Sequence, residues 1–299
     1  MPTPNPQISI LHVVDSLETG GLERVVADLA IAQQRAGHRV AVFSIQRTDG
    51  FRQTIEAAGI PVVVGDKRGT LDRAVLRCLR AAMHERRIEI VHSHNFVPNY
   101  YAALAMLAMP RAPVLVNTCH NMGTRLSQQR LRWLYRASLL RTAGVAMVSR
   151  QVHERLVGSG LVRKSHARTV LNGIPIERFD NSASRRMRAR NALDLGPDAL
   201  VVGCVGRLVP VKNHAQLIAR VPLLLRKHPA LHVVLIGDGP LEGELRAQAQ
   251  ALGASARVHL AGARADVADL LPAFDIFAQP SLSEGLSIAL LEACATGLA

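Results

Sequence analysis

Residues 8–35 read ISILHVVDSLETGGLERVVADLAIAQQR. An apolar, β-branched run, Ile8–Val14, passes through a loop with two adjacent glycines, Gly20 and Gly21, into an amphipathic stretch, Leu22–Arg35. That is one strand–loop–helix unit, and the chain keeps returning to it. Strand-length runs follow at Arg39–Ile45, Pro61–Val64, Ile88–His92, Val114–Thr118, Gly144–Val148 and Thr169–Leu171. Helical patterns such as Leu71–Arg87 and Arg130–Leu140 lie between them. Short apolar strands alternating with amphipathic helices predict an α/β fold, a mostly parallel sheet with helices on both faces.

The rhythm pauses over residues 172–198. Asn172-Gly173-Ile174-Pro175, an arginine-rich segment (Arg185, Arg186, Arg188, Arg190) and Gly196-Pro197-Asp198 combine turn residues with charge, which predicts a crossing between domains. A second series then runs through Leu200–Val205, Leu231–Ile236, Arg257–Leu260 and Ile276–Ala278, with helical patterns at Ala215–Arg226, Leu241–Leu252 and Ile288–Ala295. The expectation is two α/β domains, 1–175 and 176–299, without tandem repeats. The final residues, Ala295-Thr296-Gly297-Leu298-Ala299, read as a helix stop and the start of another strand, so the second domain is expected to be cut short.

Composition narrows the function classes. The chain has 299 residues, 48% hydrophobic, enough apolar material for two cores and too much for a disordered chain. Aromatic residues make up 3%, which argues against base-stacking platforms. Lys and Arg total 36 against 23 Asp and Glu, a net charge of +13 that favours acidic partners. The opening MPTPNPQ lacks the basic and apolar regions of a secretory signal, and no apolar run is long enough to span a bilayer. Cys78, Cys119, Cys204 and Cys294 form no CxxC pair and read as buried thiols of a reducing compartment. A cytoplasmic protein is expected.

Four motifs carry chemistry. Thr19-Gly20-Gly21-Leu22-Glu23 lets backbone approach a ligand at a helix N-terminus, where free N–H groups favour phosphate; an ordinary glycine turn explains it equally well. Gly206-Arg207-Leu208-Val209-Pro210-Val211-Lys212-Asn213 places Arg207 at a strand's carboxyl end and Lys212 at the next helix, two cations suited to a diphosphate or merely solvated. Gly237-Asp238-Gly239-Pro240 is a tight turn that could lie beside a nucleoside or be only a turn. In Ser283-Glu284-Gly285-Leu286-Ser287-Ile288-Ala289-Leu290-Leu291-Glu292, Glu284 stands at the mouth of a helix. Glu292 sits about two turns in among apolar neighbours, where a carboxylate needs a partner; a helix cap and a surface charge are the plainer alternative.

Taken in order with Leu171-Asn172-Gly173-Ile174 and Phe179, these motifs resemble the family-four retaining glycosyltransferases of the GT-B fold, from about residue 8 to the end of the chain. The resemblance implies two Rossmann-like domains facing a cleft and a nucleotide-sugar donor held mainly by the second. It implies that Arg207 and Lys212 bind the diphosphate, Glu292 the ribose and Glu284 the sugar. By the same resemblance Gly206, Gly237, Gly239, Gly285 and Leu286 would line the donor site, and Gly20 and Gly21 would reach its phosphate. His120, in Thr118-Cys119-His120-Asn121, matches the family's active-site histidine; His94 and Asn95 are further acceptor-side candidates. For a lone histidine at a strand end, a structural role is the ordinary expectation. No enzyme nucleophile is implied. The expectation is front-face transfer without metal or cofactor, since no Asp-x-Asp motif is present. The family continues past the Glu292 helix, which again reads as C-terminal truncation.

The expected function is sugar transfer from a nucleoside-diphosphate donor to a carbohydrate or lipid-linked acceptor, in cell-surface polysaccharide or glycolipid assembly. The alternatives are a truncated, inactive nucleotide-sugar-binding protein and a sugar-nucleotide epimerase. Arg73, Arg77, Arg80, His84 and Arg87 recur at helical spacing, and Val75, Leu79, Ala82 and Met83 fall on the opposite side. Arg125, Arg132 and Arg136, with Trp133 nearby, form a second basic face. These are solvated surfaces or a docking face for anionic membrane, which would place the protein peripherally at the inner membrane face; nucleic acid is not expected.

Overall fold

The computed structural model describes residues 6–47, 50–69, 71–107, 109–120 and 128–299. The chain divides into two compact units, one reaching to Asn172 and one running from Gly173 onward, with Thr19–Gly21 grouped with the second. The change falls inside the Asn172–Pro175 turn.

The first unit alternates strands and helices: β1 (Ser9–Val14), α1 (Gly21–Arg35), β2 (Arg39–Ser44), α2 (Arg52–Ala57), β3 (Val62–Val64), α3 (Arg73–Glu85), β4 (Ile90–His94), α4 (Phe96–Met106), β5 (Val114–Cys119), α5 (Gln129–Leu139), β6 (Thr142–Met147), α6 (Arg150–Gly158) and β7 (Ala167–Thr169). The sheet is parallel throughout, in the order β3-β2-β1-β4-β5-β6-β7. Strand order reverses between β1 and β4, and the carboxyl ends of such neighbours open a ligand crevice. Alternation along β1 sends Leu11 and Val13 into one apolar cluster with α3, α4 and α5, and Val14 into another with Val26, Ala27, Ala30 and Ile31 of α1. In α3 the buried residues are Val75, Leu79, Ala82 and Met83, as the spacing predicts, and Asp72 caps the helix by accepting from the Ala74 N–H at 2.8 Å.

The second unit holds α7 (Ala183–Ala192), β8 (Leu200–Val205), α8 (His214–Lys227), β9 (Leu231–Ile236), α9 (Glu242–Ala251), β10 (Val258–Leu260), α10 (Val267–Leu270), β11 (Ile276–Phe277) and α11 (Ile288–Ala295). Its parallel sheet runs β10-β9-β8-β11. The N–H of Phe277 in β11 donates to the carbonyl of Ala299 at 2.8 Å, so the final residue runs beside that edge strand.

Several expectations are corrected. The arginine-rich segment is not a bare crossing but helix α7. Arg190 is buried; its guanidinium donates to the Gly196 and Ala199 carbonyls and pairs with Asp275 at 3.0 Å, while Arg186 grips the other oxygen of the same carboxylate. Asp275 also accepts the Val201 N–H at 2.8 Å, so this cluster clamps the starts of β8 and β11. The run at Thr169–Leu171 pairs two residues earlier than expected, as Ala167–Thr169, leaving Val170 and Leu171 exposed. Of the four cysteines, Cys119 and Cys204 are buried, Cys78 is partly buried and Cys294 is exposed.

Candidate active site

In the first unit, polar side chains collect where β1, β4 and β5 end. Residues two apart on a strand share a face. His12 stands opposite His92, and His94 opposite Thr118, so the imidazoles of His12, His92 and His94 share the face covered by α1, with His120 just beyond β5. The ring nitrogens are paired in series: His12 Nε2 with Gln33 Oε1 at 2.7 Å, His12 Nδ1 with His94 Nε2 at 3.0 Å, and His94 Nδ1 with His120 Nε2 at 3.2 Å. His92 Nε2 pairs with Thr118 Oγ1 at 2.7 Å. Burial pushes His12 and His120 down to about 4 and His92 to about 3, and His94 lies well below its ordinary value; repulsion among the rings adds to the depression at His92 and His94. All four are neutral at pH 7.

The opposite face of β4 and β5 holds a second buried network. Asn117 donates to the Ser93 carbonyl and hydroxyl and to the Asn95 carbonyl, and its oxygen accepts from the Tyr135 hydroxyl at 2.8 Å. These bonds hold Asn95 in a backbone conformation rare for a residue with a side chain, φ 64°. Asn95 returns the support, since its side-chain oxygen accepts the His120 N–H at 2.8 Å. Thus His94, Asn95 and His120 come together, with His120 oriented from two sides.

His12, His92 and His94 offer nitrogens within 4.8 Å of one another, the three-residue group among those described that could hold a metal ion. Both nitrogens of His12 and of His94 are already spent on hydrogen bonds, and no carboxylate belongs to the group. Three neutral imidazoles can ligate a divalent ion, but here it would have to displace the hydrogen bonds that already occupy His12 and His94.

In the second unit the loops after β8 and β9 are zipped together. The Leu208 N–H donates to the Asp238 carbonyl at 2.7 Å, and the Gly206 N–H to the Ile236 carbonyl at 2.9 Å. A Cβ on Gly237 would lie 2.1 Å from the Gly206 carbonyl oxygen, and one on Gly239 2.5 Å from that of Leu208. Glycine is therefore obligatory there, which a generic turn does not demand. Beside this floor the Leu282 N–H donates to the Val211 carbonyl at 2.8 Å and Asn213 Nδ2 to the Pro280 carbonyl at 3.2 Å, drawing the loop after β11 against α8. Lys212 and Glu284, 72 positions apart, then meet at 2.6 Å.

The Lys212–Glu284 pair is three-quarters buried and lies close enough to Cys204 to act on it: burial pushes that thiol up to about 12, Lys212 opposes the shift and Glu284 adds to it. Arg207 is exposed, with no ion-pair partner among the described residues. Gly285 and Leu286 lead from Glu284 to Ser287, whose hydroxyl caps α11 by accepting the Leu290 N–H. Glu284 thus precedes the helix, while Glu292 lies in its second turn, 7% exposed. Gly21 is the first residue of α1, and Gly20 lies in the loop before it.

The basic stripe is only partly a free surface. Arg73, Arg77, His84 and Arg87 are exposed, but Arg80 is half-buried and donates Nε–H to the Ala105 carbonyl at 2.9 Å. Arg125 lies outside the described residues. Trp133 on α5 and Leu140 at its C-terminal end are 69% and 81% exposed, flanked by exposed Arg130, Arg132, Arg136 and Arg141.

Sequence reasoning passed over His12, Gln33, His92 and Asn117. The alternation His92-x-His94 was a legible signal, because two polar residues on one strand face under a helix demand partners.

Comparison with known proteins agrees with the two α/β units. Residues 19–178 match the model of Glycosyltransferase Family 4, and residues 186–299 that of Glycosyl transferases group 1. The putative glycosyltransferase EpsF of Bacillus subtilis is 27% identical over 98% of this chain and 78% of its own length. A UDP-Gal:alpha-D-GlcNAc-diphosphoundecaprenol alpha-1,3-galactosyltransferase of Escherichia coli is 24% identical over the whole chain and 80% of its own length. The crystal structure of Anabaena Alr3699/HepE in complex with UDP-glucose aligns with a TM-score of 0.84 at 24% identity, covering 98% of this chain and 79% of that one. WaaG, a glycosyltransferase involved in lipopolysaccharide biosynthesis, aligns at 0.71 with 19% identity, covering 97% and 80%. The two parallel α/β units are those of the GT-B fold, and the chain belongs to glycosyltransferase family 4.

Proposed function

We propose that this glycosyltransferase moves a hexose, with retention, from a uridine-diphosphate sugar to a lipid-linked or carbohydrate acceptor in polysaccharide or glycolipid assembly. The observation that carries the reading is the Lys212–Glu284 pair, about three-quarters buried, beside the glycine floor formed by Gly206, Gly237 and Gly239. Lys212 and exposed Arg207 supply positive charge for the leaving diphosphate, whose charge grows in the transition state. Glu284, already bound to Lys212, is placed to accept sugar hydroxyls, and buried Glu292 to hold the ribose. In the step itself, the acceptor oxygen bonds to the anomeric carbon as the carbon–phosphate oxygen bond breaks. The acceptor proton passes to the departing phosphate oxygen, and no metal is required. His120, with His94 and Asn95 behind it, serves the acceptor side. The structures similar to this chain include complexes with UDP and UDP-glucose, and one relative's name specifies a diphosphoundecaprenol acceptor, which support both substrate classes.

A membrane-borne acceptor is favoured by α5. Its outer ridge and the residues just past its end carry Trp133 and Leu140 among Arg130, Arg132, Arg136 and Arg141, an amphipathic surface for anionic lipid. Each arginine near such a surface contributes about 1 kcal/mol; α3 adds Arg73 and Arg77, and Arg87 follows just past its end. Among the described residues no helix is long and apolar enough to cross a membrane. A panel of nucleoside-diphosphate sugars assayed for diphosphate release, with and without undecaprenyl-linked acceptors, tests the reaction. Release from UDP-sugars with a new glycoside supports it, and an isomerised donor would point to an epimerase. Co-sedimentation with vesicles across a salt series tests the surface, and binding indifferent to anionic lipid overturns it.

A further inference from the structure

The histidines under α1 form a chain with a direction. A neutral imidazole carries one proton, so donating from one nitrogen makes the other an acceptor. Gln33 presents Oε1 to His12 Nε2, and an amide oxygen only accepts. His12 must therefore carry its proton on Nε2, leaving Nδ1 bare to accept from His94 Nε2–H. His94 Nδ1 is bare in turn and accepts from His120 Nε2–H. A second proton on His12 or His94 would set two N–H groups against each other in a site closed to water, since His12 is 0% and His94 1% exposed.

We propose that Gln33, His12 and His94 are positioning residues that hold His120 in the Nε2–H tautomer, so that its Nδ1 faces substrate as a hydrogen-bond acceptor for a hydroxyl. His120 Nδ1 has no partner among the described residues, and the Asn95 side chain fixes the backbone that carries it. The consequence is selectivity by proton count: the site accepts from a hydroxyl donor, and a group that only accepts finds no donor at His120. This rests on the proposed acceptor-side role of His120. The chain is built from α1, β1, β4 and the end of β5, elements of the first unit alone. Its use of both His12 nitrogens and both His94 nitrogens is also why these rings favour a fixed hydrogen-bonded chain over a metal site.

The test is the tautomer itself, read from the nitrogen-15 shifts and long-range couplings of histidine-labelled full-length protein. In the wild type, His12, His94 and His120 are each expected to carry the proton on Nε2. Gln33→Glu keeps an acceptor in place and preserves that pattern. Gln33→Lys puts a donor against His12 and is expected to reverse all three rings, leaving His120 with Nδ1–H. With UDP-glucose as donor probe, UDP release by Gln33→Lys is expected to fall about tenfold, the worth of one hydrogen bond, with UDP affinity unchanged and Gln33→Glu restoring the rate. A wild-type His120 protonated on Nδ1, rings indifferent to Gln33→Lys, or reversed rings without loss of rate would each overturn the proposal. So would zinc added alone binding stoichiometrically and displacing the His12, His92 and His94 signals. Failure of the wild type to release UDP refutes the donor assignment instead, and leaves the tautomer measurement to judge the chain.

Discussion

The two units solve the same problem, polar chemistry at the carboxyl end of a parallel sheet, in opposite ways. In the first, His12, His92 and His94 sit on the strands themselves, under a helix, and stay neutral because burial strips them of protons. In the second, Lys212 and Glu284 sit on loops and pair at 2.6 Å, each side chain about a quarter exposed. The difference follows from desolvation. A neutral imidazole with both nitrogens bonded can be buried at modest cost, whereas an ion must be paired or left near water. In the proposed reading, orientation falls to the first unit and charge stabilisation to the second.

The largest expected effect removes the charge. Lys212→Ala should lower transfer by about 10³-fold and Arg207→Ala by about 10²-fold, in the range seen when a group stabilising transition-state charge is lost; steady-state diphosphate release measures both. Near-normal turnover in the two variants would end the assignment of charge stabilisation to the second unit.

Acid should separate the units next. The unfolded chain protonates histidine near 6.5, while His12 and His120 resist until about 4 and His92 until about 3. The unfolded state therefore binds more protons across that window. Stability supplied by the neutral rings is complete above pH 6.5 and falls as pH drops toward 4, by about 3 kcal/mol for a single such histidine. Denaturant titrations with probes in each unit should show the first losing stability below pH 6.5 more steeply than the second. Equal slopes would erase the contrast.

Smaller changes sharpen it. Glu292→Ala should weaken nucleoside-diphosphate binding about tenfold, the cost of one hydrogen-bonded contact, leaving the first unit's acid response unaltered; calorimetry with UDP checks this. Asp72→Ala removes the α3 cap and should cost about 1 kcal/mol in the unfolding of the first unit, with no effect on UDP affinity.

Much of the architecture was legible because it is local. Ile8–Val14 and Leu200–Val205 announce strands through consecutive β-branched residues, and Ile288–Ala295 is the helix its apolar run predicts. Helix α4 escaped notice for a physical reason: Phe96, Tyr100, Tyr101 and Met106 leave it buried nearly all round, so no polar stripe marks its period. Helix α7 was hidden by its arginines, whose partner, Asp275, lies 85 residues from Arg190.

The sequence by itself determined the strand–helix alternation, the two-unit layout and the residue types at the strand ends, since these depend on short-range periodicity and turn chemistry. Only the tertiary structure decided that Lys212 would meet Glu284, and that Gln33, His12, His94 and His120 would join end to end. Parallel strands bring together residues far apart in the chain, and which nitrogen faces which oxygen is set by sheet register and helix packing, neither of which a linear pattern records.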